Sequence, residues 1–325
     1  LDYMCAMSNN LAYVQAVETL LDIEITDRAK FIRTMAAELS RIAGHLLAIG
    51  AWALDLGAMT ILLYAMRERE IVLDIFEQLC GSRMTLTYMR IGGVRYDFTE
   101  KCKELTEEFL KLLGPRLDEY DRLLTGNRVW IKRNRDVGVL TADQALDLGL
   151  SGPAMRASGI KWDIRKDEPY LLYDSFDFEV PTGTNGDCLD RYYCRMGEIR
   201  QSAKIISQAL DLIPDGPINV DIASVVPPPK PDVYRNMENL IHHFKYVSQG
   251  FKVPAGEVYS SIEAPKGELG VYIASDGSEK PHRLKLRVPS FMNLQTINAM
   301  SQGMYLADVI AIVSSLDPVF GECDK

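Results

Sequence analysis

From Leu46 to Met66 the chain runs through almost unbroken apolar sequence in which Asp55 is the only charge, and that run limits the possible folds more than any other feature. It is long enough to suggest a membrane span. A central aspartate, however, costs a spanning helix roughly 2.5 to 3.5 kcal/mol on insertion scales, and Gly50 and Gly57 weaken it further. The run therefore reads as a pair of buried helices in a folded domain. A carboxylate set so deep in apolar sequence must find partners or take up a proton. Asp55 is thus either a proton-handling group or a structural cap or buried-pair residue, and it should be buried.

The flanking pattern is helical. Ile32, Met35, Leu39, Ile42 and Leu46 recur at spacings of three and four, one face of an amphipathic helix with Thr26 or Asp27 as its N-cap. Ile71, Val72, Ile75, Phe76 and Leu79 write a second helix, and Gly81 is its stop. Thr99 caps a third, which Gly114-Pro115 should close. Thr141 and Gln144 form a capping box, and another helix should span about Asp190 to Leu212. Pro227-Pro228-Pro229 interrupts this texture. Beyond a helix near Tyr234 to Tyr246, Leu269 to Ser275, the Asp276-Gly277 turn and the alternation of Leu284, Leu286 and Val288 with Arg283, Lys285 and Arg287 read as a hairpin with one solvated face. An apolar helix from about Leu306 to Leu316 ends the chain. The expected fold is mainly α, a helical bundle carrying a small peripheral antiparallel β element.

Composition excludes several classes. The 325 residues carry a net charge of -9 with an isoelectric point near 5.1, so a phosphate backbone would be repelled and nucleic acid is not an expected partner. Cys5, Cys80, Cys102, Cys188, Cys194 and Cys323 form no C-x-x-C and read as reduced thiols. No glycine-rich phosphate loop occurs. His45, His242, His243 and His282 repeat no metal-ligand spacing and read as surface or satisfied core side chains. Arg67-Glu68-Arg69-Glu70 reads as a solvated, self-paired helix face, and Gly92-Gly93 as a turn. With no initiator Met or signal pattern at Leu1, a natural segment is expected upstream.

Ordered motifs along the chain go further. Leu1-Asp2-Tyr3, Leu54-Asp55-Leu56-Gly57-Ala58, Arg67-Glu68-Arg69-Glu70, Arg90-Ile91-Gly92-Gly93-Val94 and Arg156-Ala157-Ser158-Gly159 resemble the D-subunit family of NADH-quinone oxidoreductases. So do Gly186-Asp187 with Asp190-Arg191, Lys266-Gly267-Glu268-Leu269-Gly270, Ser275-Asp276-Gly277 and Leu316-Asp317-Pro318. That family is similar to the nickel-iron hydrogenase large subunit. The resemblance implies one hydrogenase-large-subunit-like domain over residues 1–325, its helical core at about 1–250 and 300–320 and its β-rich part at about 255–290.

The same resemblance implies a subunit of a proton-pumping, complex I-type NADH:quinone oxidoreductase, inactive alone. It would form the quinone-reduction chamber with an iron-sulfur subunit, beside other peripheral-arm subunits and a membrane subunit at the quinone entrance. Tyr3 matches the tyrosine that holds the quinone head group and Asp55 the aspartate paired with a histidine, which would lie upstream of Leu1. Leu47 and Ala51 would line the pocket, Ala51 where many members carry a hydroxyl. Thr85 stands where many members carry a histidine beside the partner's terminal cluster. Where hydrogenases read Asp-Pro-Cys-x-x-Cys, this chain reads Asp317-Pro318-Val319-Phe320-Gly321-Glu322, so no nickel site is expected, and no cofactor of its own. The location implied is peripheral, on the cytoplasmic face of a bacterial inner membrane or the matrix face of the mitochondrial one. A ferredoxin- or deazaflavin-driven relative and a non-catalytic scaffold are the alternatives.

Overall fold

A computed structural model describes residues 1–324 of the chain. Helix α1 (Ala6–Leu21) leads into α2 (Asp27–Asp55), whose N-cap is Thr26, its hydroxyl accepting from the Ala29 amide. The apolar run then divides: Gly57, at φ +91°, turns the chain into α3 (Met59–Cys80), and Gly81, at φ +76°, ends that helix. Glycine suits both points because a left-handed backbone costs it nothing sterically. No helix among the described residues is long and apolar enough to cross a membrane.

A two-residue turn at Ile91-Gly92 joins the short strands β1 (Met89–Arg90) and β2 (Gly93–Val94). Helix α4 (Glu100–Tyr120), capped by Thr99, does not close at Gly114-Pro115 as the sequence suggested. The buried stripe of Phe109, Leu113, Leu117 and Tyr120 continues past the proline, which lies on the exposed side. Packing of that stripe outweighs the one backbone bond that proline removes. After a π-helical turn at Asp121–Thr125 come α5 (Arg128–Asn134), α6 (Ala142–Asp147) with the Thr141/Gln144 capping box formed in both directions, α7 (Gly152–Ala157) and α8 (Ile164–Asp167). The long α9 (Cys188–Leu212) starts at an Asp187 cap. Beyond it, α10 (Lys230–Val233) and α11 (Met237–Ser248) follow the proline run.

Three antiparallel strands follow, β3 (Gly256–Ala264), β4 (Gly267–Ser275) and β5 (Arg283–Arg287), ordered β3-β4-β5. The sequence reading found β4 and β5 but missed β3 as a strand. Its turn to β4 is Pro265-Lys266 rather than an Asn-Gly or Asp-Gly pair, and it carries the buried charge of Glu263 at its inner end. The chain closes with α12 (Pro289–Gln295), α13 (Ile297–Ser301), α14 (Leu306–Leu316) and α15 (Phe320–Cys323). With 58% of residues helical and two small antiparallel sheets, the fold is mainly α with a small β element. Helix α2 is central, packed by α1, α3, α9 and α14, while β3 and β4 lie on α1. Trp52, Trp130 and Tyr192 interlock in the core with ring centroids 5.1 to 6.5 Å apart.

Candidate functional site

Motifs from opposite ends of the chain meet at Lys266. The tight β3–β4 turn pushes this lysine inward, where it is 3% exposed, and its ammonium lies 2.9 Å from Asp2 and 3.1 Å from Asp317. Burial alone would lower its pKa, but the surrounding anions, led by Asp317, hold it well above the ordinary lysine range. Burial likewise pushes Asp2 up, and Lys266 more than reverses that, leaving the carboxyl below its usual value. Asp2 also accepts from the Met4 amide at 2.9 Å, while its carbonyl accepts from Asn9 at 2.7 Å. The backbone on either side of Tyr3 is thereby fixed, and the ring is aimed outward, 49% exposed. Gly321 lies beneath it, so close that a Cβ there would stand 2.9 Å from the ring. Among the described residues the Tyr3 hydroxyl has no hydrogen-bond partner.

Tyr3 and Thr85, distant in sequence, line one narrow groove with Arg69, Phe76, Met84 and Leu86. Thr85 is exposed and sits at φ +53°, an uncommon conformation for a β-branched residue. Its hydroxyl donates to the Met84 carbonyl at 2.7 Å.

Asp55 corrects the sequence reading, which expected it buried and facing Tyr3. It is exposed at the last turn of α2, and no hydrogen bond joins it to Tyr3. The apolar run buries its other faces. On the Asp55 side Leu47 is half-buried and Ala51 and Leu54 are exposed, a stripe at helical spacing that this chain leaves open. The carboxylate is not idle, because Ser314 of α14 donates to it at 2.6 Å. Asp55 and Tyr3 therefore lean on one C-terminal segment, the first on Ser314 and the second on Gly321.

Behind this surface lies a polar core that the sequence reading did not find. Glu38, Arg41 and His45 fall on one face of α2 and are no more than 1% exposed. Arg156 of α7 bridges Glu198 of α9 at 2.7 Å and Glu263 of β3 at 2.8 Å. Arg165 pairs with Asp163 at 2.7 Å and Glu38 at 3.2 Å, and the Tyr173 hydroxyl donates to Glu38 at 2.7 Å. His45 Nε2 lies 2.8 Å from Glu198. Burial raises these carboxyls, yet the guanidiniums prevail: Arg156 holds Glu198 well below the usual range, and Arg165 with Arg156 brings Asp163 to about 2. Burial pushes Glu263 up despite Arg156 and lowers His45 despite Glu198. The available signal was a polar stripe at positions 38, 41 and 45, which reads from sequence as a solvated face.

Acid should loosen this core in two stages. His45 has a depressed folded pKa, so its contribution is complete above its unfolded value of about 6.5 and declines as pH falls below it. Asp163, Glu198 and Glu38 lose theirs below about pH 4, with Glu263 opposing them in part. Thermal midpoints measured against pH are expected to fall gently from about pH 6.5 and steeply below about pH 4. His45→Gln should flatten the upper limb alone, and an unchanged upper limb would assign it to another group.

Other candidates divide. In Arg67-Glu68-Arg69-Glu70, Glu68 and Arg69 are buried, at 1% and 7% exposure, which corrects the solvated-face reading. Glu68 receives the Tyr120 hydroxyl at 2.6 Å, so α4 covers that side. His243 and His282 are exposed and His242 half-buried. Val319 and Glu322 are buried, and Glu322 accepts from the Ser290 amide at 3.2 Å. Among the described residues no three His, Cys, Asp or Glu side chains converge as metal ligands would, and none of the six cysteines is disulfide-bonded.

Comparison with known proteins gives one consistent result. The family model described as "Respiratory-chain NADH dehydrogenase, 49 Kd subunit" matches residues 55–325. The second of the NADH-quinone oxidoreductase D subunits of Rhizobium meliloti is 54% identical over all of this chain and 81% of its own length. The NADH-quinone oxidoreductase D subunit of Geotalea uraniireducens is 50% identical over all of this chain and 83% of its own length. The corresponding second D subunit of Chloroflexus aurantiacus is 48% identical, with 80% of its length covered.

Proposed function

Because this chain belongs to the respiratory-chain NADH dehydrogenase 49 kDa subunit family, we propose that it forms the quinone-reduction chamber of an NADH-quinone oxidoreductase together with an iron-sulfur subunit. Quinone is the substrate, and the electrons come from a cluster held by the partner. Other peripheral-arm subunits and a membrane subunit at the quinone entrance complete the assembly, which lies on the cytoplasmic face of a bacterial inner membrane or the mitochondrial matrix face. Proton pumping belongs to membrane subunits outside this chain.

The observation that carries this reading is the phenol of Tyr3, unpartnered among the described residues and held outward by the Asp2–Lys266–Asp317 triad. A phenol donor fits a quinone carbonyl, where negative charge develops as electrons arrive, and a hydrogen bond to a charged acceptor is worth about 1.5 to 3 kcal/mol. The open stripe of Leu47, Ala51 and Leu54 offers an apolar wall, and Asp55, oriented by Ser314, offers a carboxylate that can position an imidazole of the chamber and return its proton.

Tyr3→Phe in the assembled complex should lower quinone turnover about 10- to 100-fold with assembly intact, the rate equivalent of that bond. Asp55→Asn should also lower turnover without loss of subunits. A scaffold would instead lose subunits or show no change, and either result would reject the chamber reading.

Thr85 yields a separate expectation. A histidine beside a cluster binds a proton on reduction and makes the potential pH-dependent, whereas threonine cannot titrate near neutrality. The partner's terminal cluster should therefore have a comparatively low, nearly pH-independent midpoint. Redox titration followed by electron paramagnetic resonance tests this, and a slope near the one-proton value of about 59 mV per pH unit would contradict it.

A further inference from the structure

The aromatic core around Trp52 holds more than packing explains. Trp52 of α2 and Trp130 of α5 lie 5.1 Å apart between ring centroids, Trp130 and Tyr192 of α9 5.4 Å, and Tyr192 and Tyr193 5.5 Å. The first three rings are no more than 3% exposed and Tyr193 is 40% exposed, so an unbroken series of oxidisable rings runs from the middle of the fold to its surface. Buried indole N–H groups usually find an acceptor. Those of Trp52 and Trp130 are enclosed without one among the described residues. An indole that loses an electron there has nowhere to release its proton, so the oxidised state passes to a neighbouring ring rather than settling.

Tyr192 is that neighbour, because it alone of the buried three has a proton exit. Its hydroxyl lies 3.1 Å from Thr125 Oγ1, and Thr125 donates to Asp121 at 2.9 Å. A threonine hydroxyl has one proton to give, so with that proton on the Asp121 carboxylate it accepts from the phenol. The order Tyr192, Thr125, Asp121 is therefore directional, and it ends at solvent, where the half-exposed Asp121 pairs with Arg200 at 2.5 Å. Burial pushes Tyr192 above the usual phenol range, so the ring rests protonated and must lose its proton when it is oxidised. Both Thr125 and Asp121 belong to the π-helical turn that continues α4, a rare geometry that recurs at functional sites.

We propose that Trp52, Trp130 and Tyr192 form a relay that quenches one-electron oxidants of the alkoxyl-radical class, with Tyr192 holding the oxidised state while Thr125 and Asp121 take its proton. In one cycle Trp52 gives an electron to the radical, which becomes an alkoxide and takes a proton from water to leave an alcohol. Trp130 refills Trp52, and Tyr192 refills Trp130. As Tyr192 loses its electron, its proton moves to Thr125 Oγ1 and the threonine proton to Asp121, leaving a neutral tyrosyl radical. A thiolate at the surface then returns one electron through Tyr193, itself becoming a thiyl radical, and the proton travels back from Asp121. The oxidant approaches along the open stripe of Leu47, Ala51 and Leu54, which neighbours Trp52 on α2. The relay does not rest on the quinone reading, since it acts on an oxidant and not on the substrate.

The test uses the intact complex. A ruthenium polypyridyl photo-oxidant is attached through an azide-bearing side chain in place of Leu54, 41% exposed on the stripe, and a laser flash with a soluble electron acceptor generates its ruthenium(III) form. With the relay otherwise intact, the absorbance of a tryptophan radical should decay as that of a tyrosyl radical appears. In Tyr192→Phe the tryptophan radical should persist and no tyrosyl signal should form. Thr125→Val keeps the shape but cannot accept the proton, and tyrosyl formation should slow about 100-fold, within the range for a positioned proton acceptor. An undiminished tyrosyl signal in Tyr192→Phe overturns the proposal, as does an unchanged rate in Thr125→Val, which would make the role of these residues one of packing. If Tyr192→Phe does not assemble, fluorotyrosine at position 192 decides: a fluorine splitting in the electron paramagnetic resonance of the tyrosyl radical is expected, and its absence rejects Tyr192 as the radical site.

Discussion

Arg156→Leu is expected to destabilise the fold by about 3 to 5 kcal/mol, the range for removing one partner of a buried ion pair. Arg156 donates through Nε and Nη2 to Glu198, and through Nη1 to Glu263 and to the Trp162 carbonyl. Leucine would leave both carboxylates in a dry core with no cation between them, and the protein could relieve this only by protonating them or admitting water. The cost falls where α7, α9 and β3 meet, so these elements should loosen together. Arg156→Lys keeps the charge but not the fork that spans two carboxylates, and an intermediate loss should follow. Denaturant midpoints of the purified complex, followed by a probe on this subunit, measure both. A loss below about 1 kcal/mol for Arg156→Leu would mean that water already reaches the cluster and screens it.

The second large effect belongs to Lys266→Met. The ammonium joins Asp2, next to Tyr3, to Asp317, at the left-handed C-terminal cap of α14. Methionine nearly preserves the volume but leaves the buried Asp2 carboxylate facing that of half-buried Asp317 with no cation between them, a loss of up to about 3 to 5 kcal/mol. Unlike the Arg156 change, this one should also free the backbone that presents Tyr3, so quinone turnover should fall further than stability alone explains. The two consequences separate in the triple variant Asp2→Asn, Lys266→Met, Asp317→Asn, in which no uncompensated charge remains. Its stability should return to within about 1 to 2 kcal/mol of wild type, because neutral replacement of a whole buried ionic group is often tolerated. Turnover should stay low, since the ion pairs that fixed the Tyr3 loop are gone. Full recovery of turnover in the triple variant would show that the triad only balances charge and does not position the phenol.

Both predictions concern residues that sequence reasoning could not fully place. Lys266 was visible as part of a motif, but its burial depends on a hairpin whose turn residues gave no standard signal. The Glu38, Arg41 and His45 stripe has the period of a solvated helix face. It is buried because α9, β3 and the segment around Arg165 supply opposite charges from far along the chain. Asp55 erred in the other direction. As the lone charge of an apolar run it looked buried, yet it lies exposed at the helix end, where Ser314 of α14 meets its carboxylate.

What the sequence determined by itself was whatever depends on near neighbours: the helix faces read at spacings of three and four, the N-cap at Thr26 or Asp27, the Thr99 cap, the Thr141/Gln144 box, the stop at Gly81, and the extent of the helix Leu306–Leu316. Its ordered motifs also determined the family, because a match spread over the whole chain does not require knowing which motifs touch. The tertiary structure alone decided which charges are buried, that Tyr3 and Thr85 share a groove while Asp55 stands apart, that α4 continues through Pro115, and that Arg69 Nε has no hydrogen-bond partner among the described residues. Each of these depends on desolvation and on pairing between segments far apart along the chain. A local pattern shows that a face is polar, but only the packed chain shows whether water or an opposite charge meets it.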